Sequence, residues 1–219
     1  MDLIFLGMNE AGEEVLQWLR QKEQVNILEV IESSEGLEKI KELRPEIFVS
    51  SGYEHIVPEE IIEVPEKGIV NLHPSYLPHN RGAHPYIWPL IDGSPAGVSI
   101  HFMNEKLDEG PLIARRKVEK RPDDDSKSLR DRLMKEQAEL FKENWKKILK
   151  KECRPQDLEK GSVHRKEDLD EISNLDLDEE MSLGDAIDLL RGLSYGEKDL
   201  GCFEVDGERY TVGVDVSKE

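Results

Sequence analysis

Leu3-Ile4-Phe5-Leu6, then Gly7-Met8-Asn9-Glu10-Ala11-Gly12, then Val15, Leu16, Trp18 and Leu19 at helical spacing, is the stretch that decides the fold. A short apolar run, a glycine-bearing turn and an amphipathic helix make one strand–helix unit. Val25–Ile31 repeats the strand, Gly36–Leu43 the helix, and Pro45–Ser50 a third strand after a proline stop. Strands that alternate with helices must run parallel, because each crossover returns the chain to the same edge. Right-handed crossovers place helices on both faces and leave ligands to the crevice beyond the carboxyl ends of the strands. Gly7 and Gly12 resemble a dinucleotide fingerprint only loosely, since G-x-x-x-x-G lacks the middle glycine that admits a pyrophosphate. A tight strand-to-helix turn is the expected role.

Further along, Gly68–Leu72 reads as a strand ending at His73-Pro74, followed by a long loop dense in His, Pro and aromatic residues through Pro85. A loop of that length inside a compact domain is ordered for a functional reason or not ordered at all. A helix over Tyr86–Ile91, a turn over Asp92–Pro95, a strand over Gly97–Met103, a turn at Leu107-Asp108-Glu109-Gly110-Pro111 and a strand over Leu112–Val118 follow. Asp123-Asp124-Asp125-Ser126 caps a long helix to about Lys150, with Leu129, Leu133, Leu140, Phe141, Trp145, Ile148 and Leu149 as its apolar stripe. The expected division is a core over 1–152 and an acidic extension over 153–219, with 10 acids against 4 bases between 160 and 191. That extension holds a helix over Leu183–Leu193 and a hairpin, Cys202–Val205 and Arg209–Val214, turning at Asp206-Gly207. The fold class is therefore α/β, a Rossmann-like, mostly parallel sheet with helices on both faces plus a helix and β-hairpin appendage.

The 219 residues carry 48 acids and 30 bases, a formal charge of −18. That excess argues against binding polyanions such as nucleic acid or an anionic membrane, which are held by Lys and Arg. It leaves open a small anion in one local basic pocket. No apolar run approaches the ~20 residues of a membrane span, and Asp2 precedes the first apolar run with no basic leader, so a cytoplasmic protein is expected. Cys153 and Cys202 lie 49 positions apart, a spacing that fits neither a zinc site nor a disulfide framework. His73, His79, His84 and His101 lack the i,i+4 spacing of a helical metal site, and no metal is expected.

Asn71 and His73 are two apart at a strand end, so their side chains project to one side, toward the ligand crevice. Asp108, at the next strand-to-strand turn, can reach the imidazole. An amide donor, an imidazole and a carboxylate suit attack on a carbonyl: Asn71 and a protonated His73 stabilise the developing oxyanion while Asp108 holds the imidazolium and helps remove a proton. Each residue also has a structural reading, as a turn cap, a satisfied polar group and a turn initiator.

The run Asn71-Leu72-His73-Pro74-Ser75-Tyr76-Leu77-Pro78, with Arg81-Gly82, Gly97–Phe102 and Leu107–Pro111, resembles the signature of the N10-formyltetrahydrofolate-dependent formyltransferases. That family includes glycinamide ribonucleotide, methionyl-tRNA and sugar N-formyltransferases, and the resemblance covers roughly residues 44–150. It implies that Asn71, His73 and Asp108 are the catalytic set and that N10-formyltetrahydrofolate is the formyl donor, with no metal. It further implies a pterin slot lined by the loop after the third strand and by the strand leading to Asp108: Gly52, Tyr53, His55, Ile56, Val57, Met103 and Leu107. A cis Leu77-Pro78 bond is implied as well.

Leu77–Trp88, Ala138–Trp145 and Gly161–Leu169 look most like the sugar N-formyltransferases, which act on an amine of a nucleotide-linked sugar. On that likeness Ser75, Asn80, Arg81, Tyr86 and Trp88 are candidates for the substrate, Arg81 as a diphosphate partner and Tyr86 or Trp88 as a stacking ring; Arg81 reads equally as a structural loop anchor and Trp88 as a core helix residue. Arg81, Arg115 and Arg116 are the basic residues expected near the cleft. Methionyl-tRNA members carry a further basic barrel, whereas the region here after Cys153 is acidic, so nucleic acid is not the expected partner and a homodimer is. The region ahead of the third strand looks shortened by one strand–helix pair. A formyltransferase for another amine, or a non-catalytic folate- or nucleotide-binding module, are the alternative readings.

Overall fold

Six strands form one sheet in the order β2-β1-β3-β4-β6-β7. The structure, a computed structural model, describes the backbone of residues 1–219 and every side chain except those at 38, 39, 41 and 42. β1 (Asp2–Leu6), α1 (Glu10–Arg20), β2 (Asn26–Ile31), α2 (Ile40–Leu43) and β3 (Ile47–Ser51) make the opening unit, with a 3-10 turn over Ser34–Lys39 where a single helix from Gly36 is expected. Two strand–helix pairs thus precede β3, as the sequence reading has it. α3 (Glu59–Ile62) leads to β4 (Ile69–His73), and β1 to β4 pair in parallel. Next come β5 (Arg81–Gly82), α4 (Trp88–Ile91), β6 (Gly97–Phe102) and β7 (Leu112–Lys117); β6 pairs antiparallel with both β4 and β7. α4 starts two residues later than expected, with a proline in its first turn, where the missing N–H goes unpaired at no cost.

Alternation along the strands sorts the core into two layers. Leu3, Phe5, Val70, Leu72, Val98 and Ile100 pack toward α1 and the 24-residue helix α5 (Ser126–Leu149), while Ile4, Leu6, Phe48 and Ile69 pack on the other face with Ile40 and Ile61. β1 is fully enclosed from Leu3 to Leu6, which explains its unbroken apolar run. α5 is capped by Asp125, whose carboxylate accepts from the Ser128 backbone at 2.7 Å, and it buries Leu129, Leu133, Leu140, Phe141 and Ile148 of the expected stripe. Trp145 and Leu149 stay half-buried, and Gln137 and Asn144 take buried positions that an apolar stripe does not announce.

This layering positions the site. Asn71 and His73 share the β4 face of Ile69, and Ser99 and His101 lie opposite them on β6, in the pairs Asn71 with His101 and His73 with Ser99. The far face of β4 and β6 is covered by α5. On the near face, loops rather than helices lie over the ends of β4 and β6.

The extension is not a separate body. Arg154 pairs with Leu112, β8 (Val163–His164) pairs with β5, and α7 (Leu183–Leu193) packs on α4. α6 (Lys166–Ser173), the two-residue pair β9 (Ser194–Tyr195) and β10 (Lys198–Asp199), and the hairpin β11 (Gly201–Val205) and β12 (Glu208–Val212) complete it. Helix α7 and the hairpin stand where expected; α6 and the β5–β8 pairing are additions. No helix among the described residues is long and apolar enough to cross a membrane.

Candidate active site

Three chain segments converge on one carboxylate. Asp108 sits in the β6–β7 turn with φ 53°, a left-handed conformation that a non-glycine residue adopts at a cost of about 1–3 kcal/mol and keeps only when its surroundings hold it. What holds it is local. Gln156 Nε2 donates to the carbonyls of Asp108 and Gly110 at 2.8 and 2.7 Å. At Gly110 any Cβ would lie 1.7 Å from the Phe102 carbonyl oxygen, so this turn admits only glycine there. The carboxylate accepts from the Gly82 N–H at 2.9 Å, lies 3.4 Å from His101 Nε2, and lies 3.6 Å from His73 Nε2.

Burial raises the Asp108 pKa, but the His73 charge, the His101 imidazole and the Gly82 N–H outweigh it and hold the group well below the ordinary carboxylate range. His73 moves the other way from the expectation. Burial of its ring pushes its pKa below the usual value and Asp108 only partly opposes this. Its Nε2 lies 3.2 Å from the Asn80 carbonyl, which only accepts, so Nε2 carries the hydrogen and Nδ1 the lone pair.

Asn71 Nδ2 lies 3.2 Å from His101 Nε2, and His101 Nδ1 donates to the Phe102 carbonyl at 2.9 Å. The Asn71 amide carries two hydrogens, so the one beside His101 leaves the second to point elsewhere. His101 falls outside the site set expected from sequence. The signal that would have found it is the period-two pair Ser99 and His101 on a strand antiparallel to Asn71 and His73, which needs the register as well as the sequence. Ser99 acts beside it: its hydroxyl donates to the Ser75 carbonyl at 2.8 Å and accepts from the Leu77 N–H at 3.0 Å, tying the loop after β4 to the sheet. The Leu77-Pro78 bond is cis.

The residues expected to touch substrate divide. Asn80 is fully buried, with Nδ2 donating to Ser94 Oγ at 2.8 Å and Oδ1 facing Ser162 Oγ at 2.9 Å and His164 Nε2 at 3.2 Å. Arg81, buried, donates to half-buried Glu109 at 2.6 Å. The Trp88 ring stacks on His164 at 3.9 Å and donates from Nε1 to the Ala83 carbonyl, and Ser75 is buried beneath the loop. All four have protein partners in the wall of the site. Arg115 binds the Leu77 carbonyl and lies over the Tyr76 ring, while Arg116 turns to Glu136 and Glu143 of α5, away from the cleft. Half-buried Tyr86, 6.2 Å from Tyr195 and 6.3 Å from His84, remains open to a ligand.

The expected pterin residues lie in two strips. Gly52 has φ 74° and no room for a Cβ against Asn9. Ile56 is 90% exposed and Leu107 57% exposed, whereas Val57 is buried and Tyr53 and Met103 are half-buried against the second core layer. His55 is exposed, its ring 5.4 Å from that of Tyr53. Gly7 needs its glycine because a Cβ would meet the Tyr53 N at 2.4 Å, so the tight β1–α1 turn also supports this loop. Apolar side chains beside a buried acid, left open to water, fit a flat ring that covers them.

Comparison with known proteins places this arrangement. Residues 6–144, more than half of the chain, match the formyl transferase family model, and residues 168–218 match the N-formyltransferase dimerization C-terminal domain. A methionyl-tRNA formyltransferase of Caldanaerobacter subterraneus subsp. tengcongensis is 40% identical over 115 residues, which are 52% of this chain and 37% of that protein; the chain spans little more than a third of such relatives. A Mycobacterium tuberculosis protein read as a sugar N-formyltransferase superposes over 100% of this chain and 98% of its own, at TM-score 0.88 and 25% identity. The formyltransferase PseJ of Anoxybacillus kamchatkensis, solved with UDP-4,6-dideoxy-4-formamido-L-AltNAc and tetrahydrofolate, matches at TM-score 0.68 and 28% identity over 78% of this chain and 89% of its own.

Proposed function

This chain belongs to the formyl transferase family, and on that premise we propose that it moves a formyl group from N10-formyltetrahydrofolate to the amino group of a nucleotide-linked sugar. The donor supplies an activated formyl carbon: the amine nitrogen bonds to that carbon, its bond to N10 breaks, the amine gives up one proton and N10 gains one. Gly52, Ile56, Val57, Met103 and Leu107 are the residues that would hold the pterin, with the exposed side chains of Ile56 and Leu107 as the apolar surface it would cover.

Within that reading the chain's own groups have distinct parts. The Asn71 amide, held by His101, presents a hydrogen to the oxyanion that develops on the formyl oxygen. His73 Nδ1 takes the proton that the amine loses, since a neutral imidazole is a competent base and a carboxylate held as low as Asp108 is a poor one. Asp108, ionised throughout, then stabilises the imidazolium across 3.6 Å, and the charged ring supports the oxyanion. Of the two parts expected for Asp108, this keeps the counter-charge to the imidazolium and gives the proton removal to His73.

The observation that carries the choice of substrate is the match of residues 168–218 to the N-formyltransferase dimerization domain, joined to whole-chain likeness to a protein read as a sugar N-formyltransferase. Tyr86, with Tyr195 nearby, would then lie against the sugar or base. The 40% identity to methionyl-tRNA formyltransferases favours a second reading, formylation of a charged tRNA, which the charge of −18 opposes. Incubation with N10-formyltetrahydrofolate and a panel of dTDP- and UDP-linked amino sugars tests the choice. A formamido product from one sugar is expected, and formylation of charged initiator tRNA with no sugar product would overturn it. A homodimer through the exposed face of the β11–β12 hairpin, where Phe203 stacks on Tyr210 at 5.6 Å, belongs to the same proposal and is checked by sedimentation equilibrium.

A further inference from the structure

The extension reaches back across both loops that carry the chemistry. From Arg154 to His164 it makes a strap of successive attachments: Arg154 N and O pair with Leu112 O and N at 2.8 Å each, Gln156 Nε2 bonds the Asp108 and Gly110 carbonyls, and Ser162 Oγ accepts from the Asn80 N–H at 2.9 Å while facing Asn80 Oδ1. The strap then pairs with β5 through Arg81 N to Ser162 O and Ala83 N to His164 O, at 3.1 and 2.8 Å. Its fit is close at two points. A Cβ at Gly161 would lie 2.3 Å from the Pro78 carbonyl oxygen, and one at Gly82 would lie 2.2 Å from that of His164.

Two of these attachments end one atom away from catalytic groups. The Asn80 residue that Ser162 holds by both backbone and side chain offers its carbonyl to His73 Nε2, and Gly82, held in the β5–β8 pair, donates its N–H to Asp108. Asn80 sits at φ 55°, in the left-handed region, so its carbonyl does not reach that direction by backbone preference alone. Gln156 fixes the second left-handed residue, Asp108, from the opposite side.

We infer that the strap Arg154–His164 positions the catalytic groups, with Ser162 aiming the Asn80 carbonyl at His73 and Gln156 setting the Asp108 turn, so that the imidazole and carboxylate are held together by the extension and not by the core alone. This rests on the formyl-transfer reading for its consequence in rate. Loss of either hold lets the imidazole and carboxylate drift, and misplacement of about 1 Å costs on the order of 100-fold.

The variants are Ser162→Ala, which removes the hydroxyl, its rescue Ser162→Thr, and Gln156→Glu, which replaces the amide donor by an acceptor of the same shape. Ser162→Ala and Gln156→Glu are expected to lower kcat by about 10- to 100-fold with KM for the formyl donor within about twofold, and Ser162→Thr to restore kcat. A second measurement does not depend on turnover. The His73 imidazole is faced by Asp108 from the β6–β7 turn, His101 from β6 and the Asn80 carbonyl, and that carbonyl favours the protonated ring. Its titration, followed by nitrogen NMR, should therefore move to lower pH in Ser162→Ala and return in Ser162→Thr. Unchanged kcat and an unmoved His73 titration in Ser162→Ala would overturn the inference, as would a loss of activity that only tracks loss of folded protein. A wild-type protein that formylates nothing refutes the formyl-transfer reading, and the titration still decides the role of the strap.

Discussion

Two loops expected to line the ligand crevice, one for the chemistry and substrate and one for the pterin, are opposite in construction. The loop from Pro74 to Pro85 is packed and bonded: Ser75, Leu77, Asn80 and Arg81 are buried, and Ser99, Ser162 and Glu109 tie it down. The loop from Gly52 to Ile56 is mostly open, with Ile56 almost fully in water. The difference follows from what each must do. Groups that meet a developing charge act only if their orientation is fixed before the reaction, because reorganisation at that moment raises the barrier. A surface for an apolar ring needs only to be uncovered, since the free energy comes from the area removed from water.

The contrast is broken or sharpened by three measurements. The largest effect belongs to the fixed side. Asn71→Ala and Asp108→Ala should each lower kcat by about 100- to 1,000-fold, the scale of a lost oxyanion donor, with the thermal transition retained. Near wild-type formyl transfer in either variant removes the catalytic assignment. On the open side, Ile56→Ala should raise KM for the formyl donor by about tenfold, the worth of about two buried methylenes, and leave kcat unchanged. A fall in kcat with KM constant would show that this loop is preorganised after all.

The smallest effect is on stability. His73 has its pKa lowered by burial, and His79, His84 and His164 have theirs lowered by the same cause, so the unfolded chain binds more protons than the native one as pH falls below about 6.5. Stability that is fully present above that value is lost progressively as pH drops toward the native values. The urea midpoint should therefore fall between pH 7.5 and 5.5, and His73→Gln should flatten that fall. An unchanged slope in His73→Gln would mean that His73 is not buried as a neutral ring.

Much of the sheet was legible because its signals are local. A four-residue apolar run followed by a helical stripe can only be a strand enclosed on both faces and its crossover helix, and Asp125 before a 24-residue amphipathic run marks its own cap. Asn71 and His73 were legible for a similar reason, since the period of a strand is two whatever it pairs with. The partners of Arg81, Asn80 and Trp88 were not legible, because Glu109, Ser162 and His164 lie 28, 82 and 76 positions away in the chain.

The sequence by itself determined the alternation of strand and helix, the common side of Asn71 and His73, and the turn that carries Asp108, because each depends on neighbours a few residues apart. Only the tertiary structure decided that His101 stands across from Asn71, that burial lowers the His73 pKa, and that Gln156 and Ser162 of the extension reach the catalytic loops. Register, burial and strand addition bring together residues separated by tens of positions, and hydrogen bonds and desolvation act over distances in space that no spacing along the chain encodes.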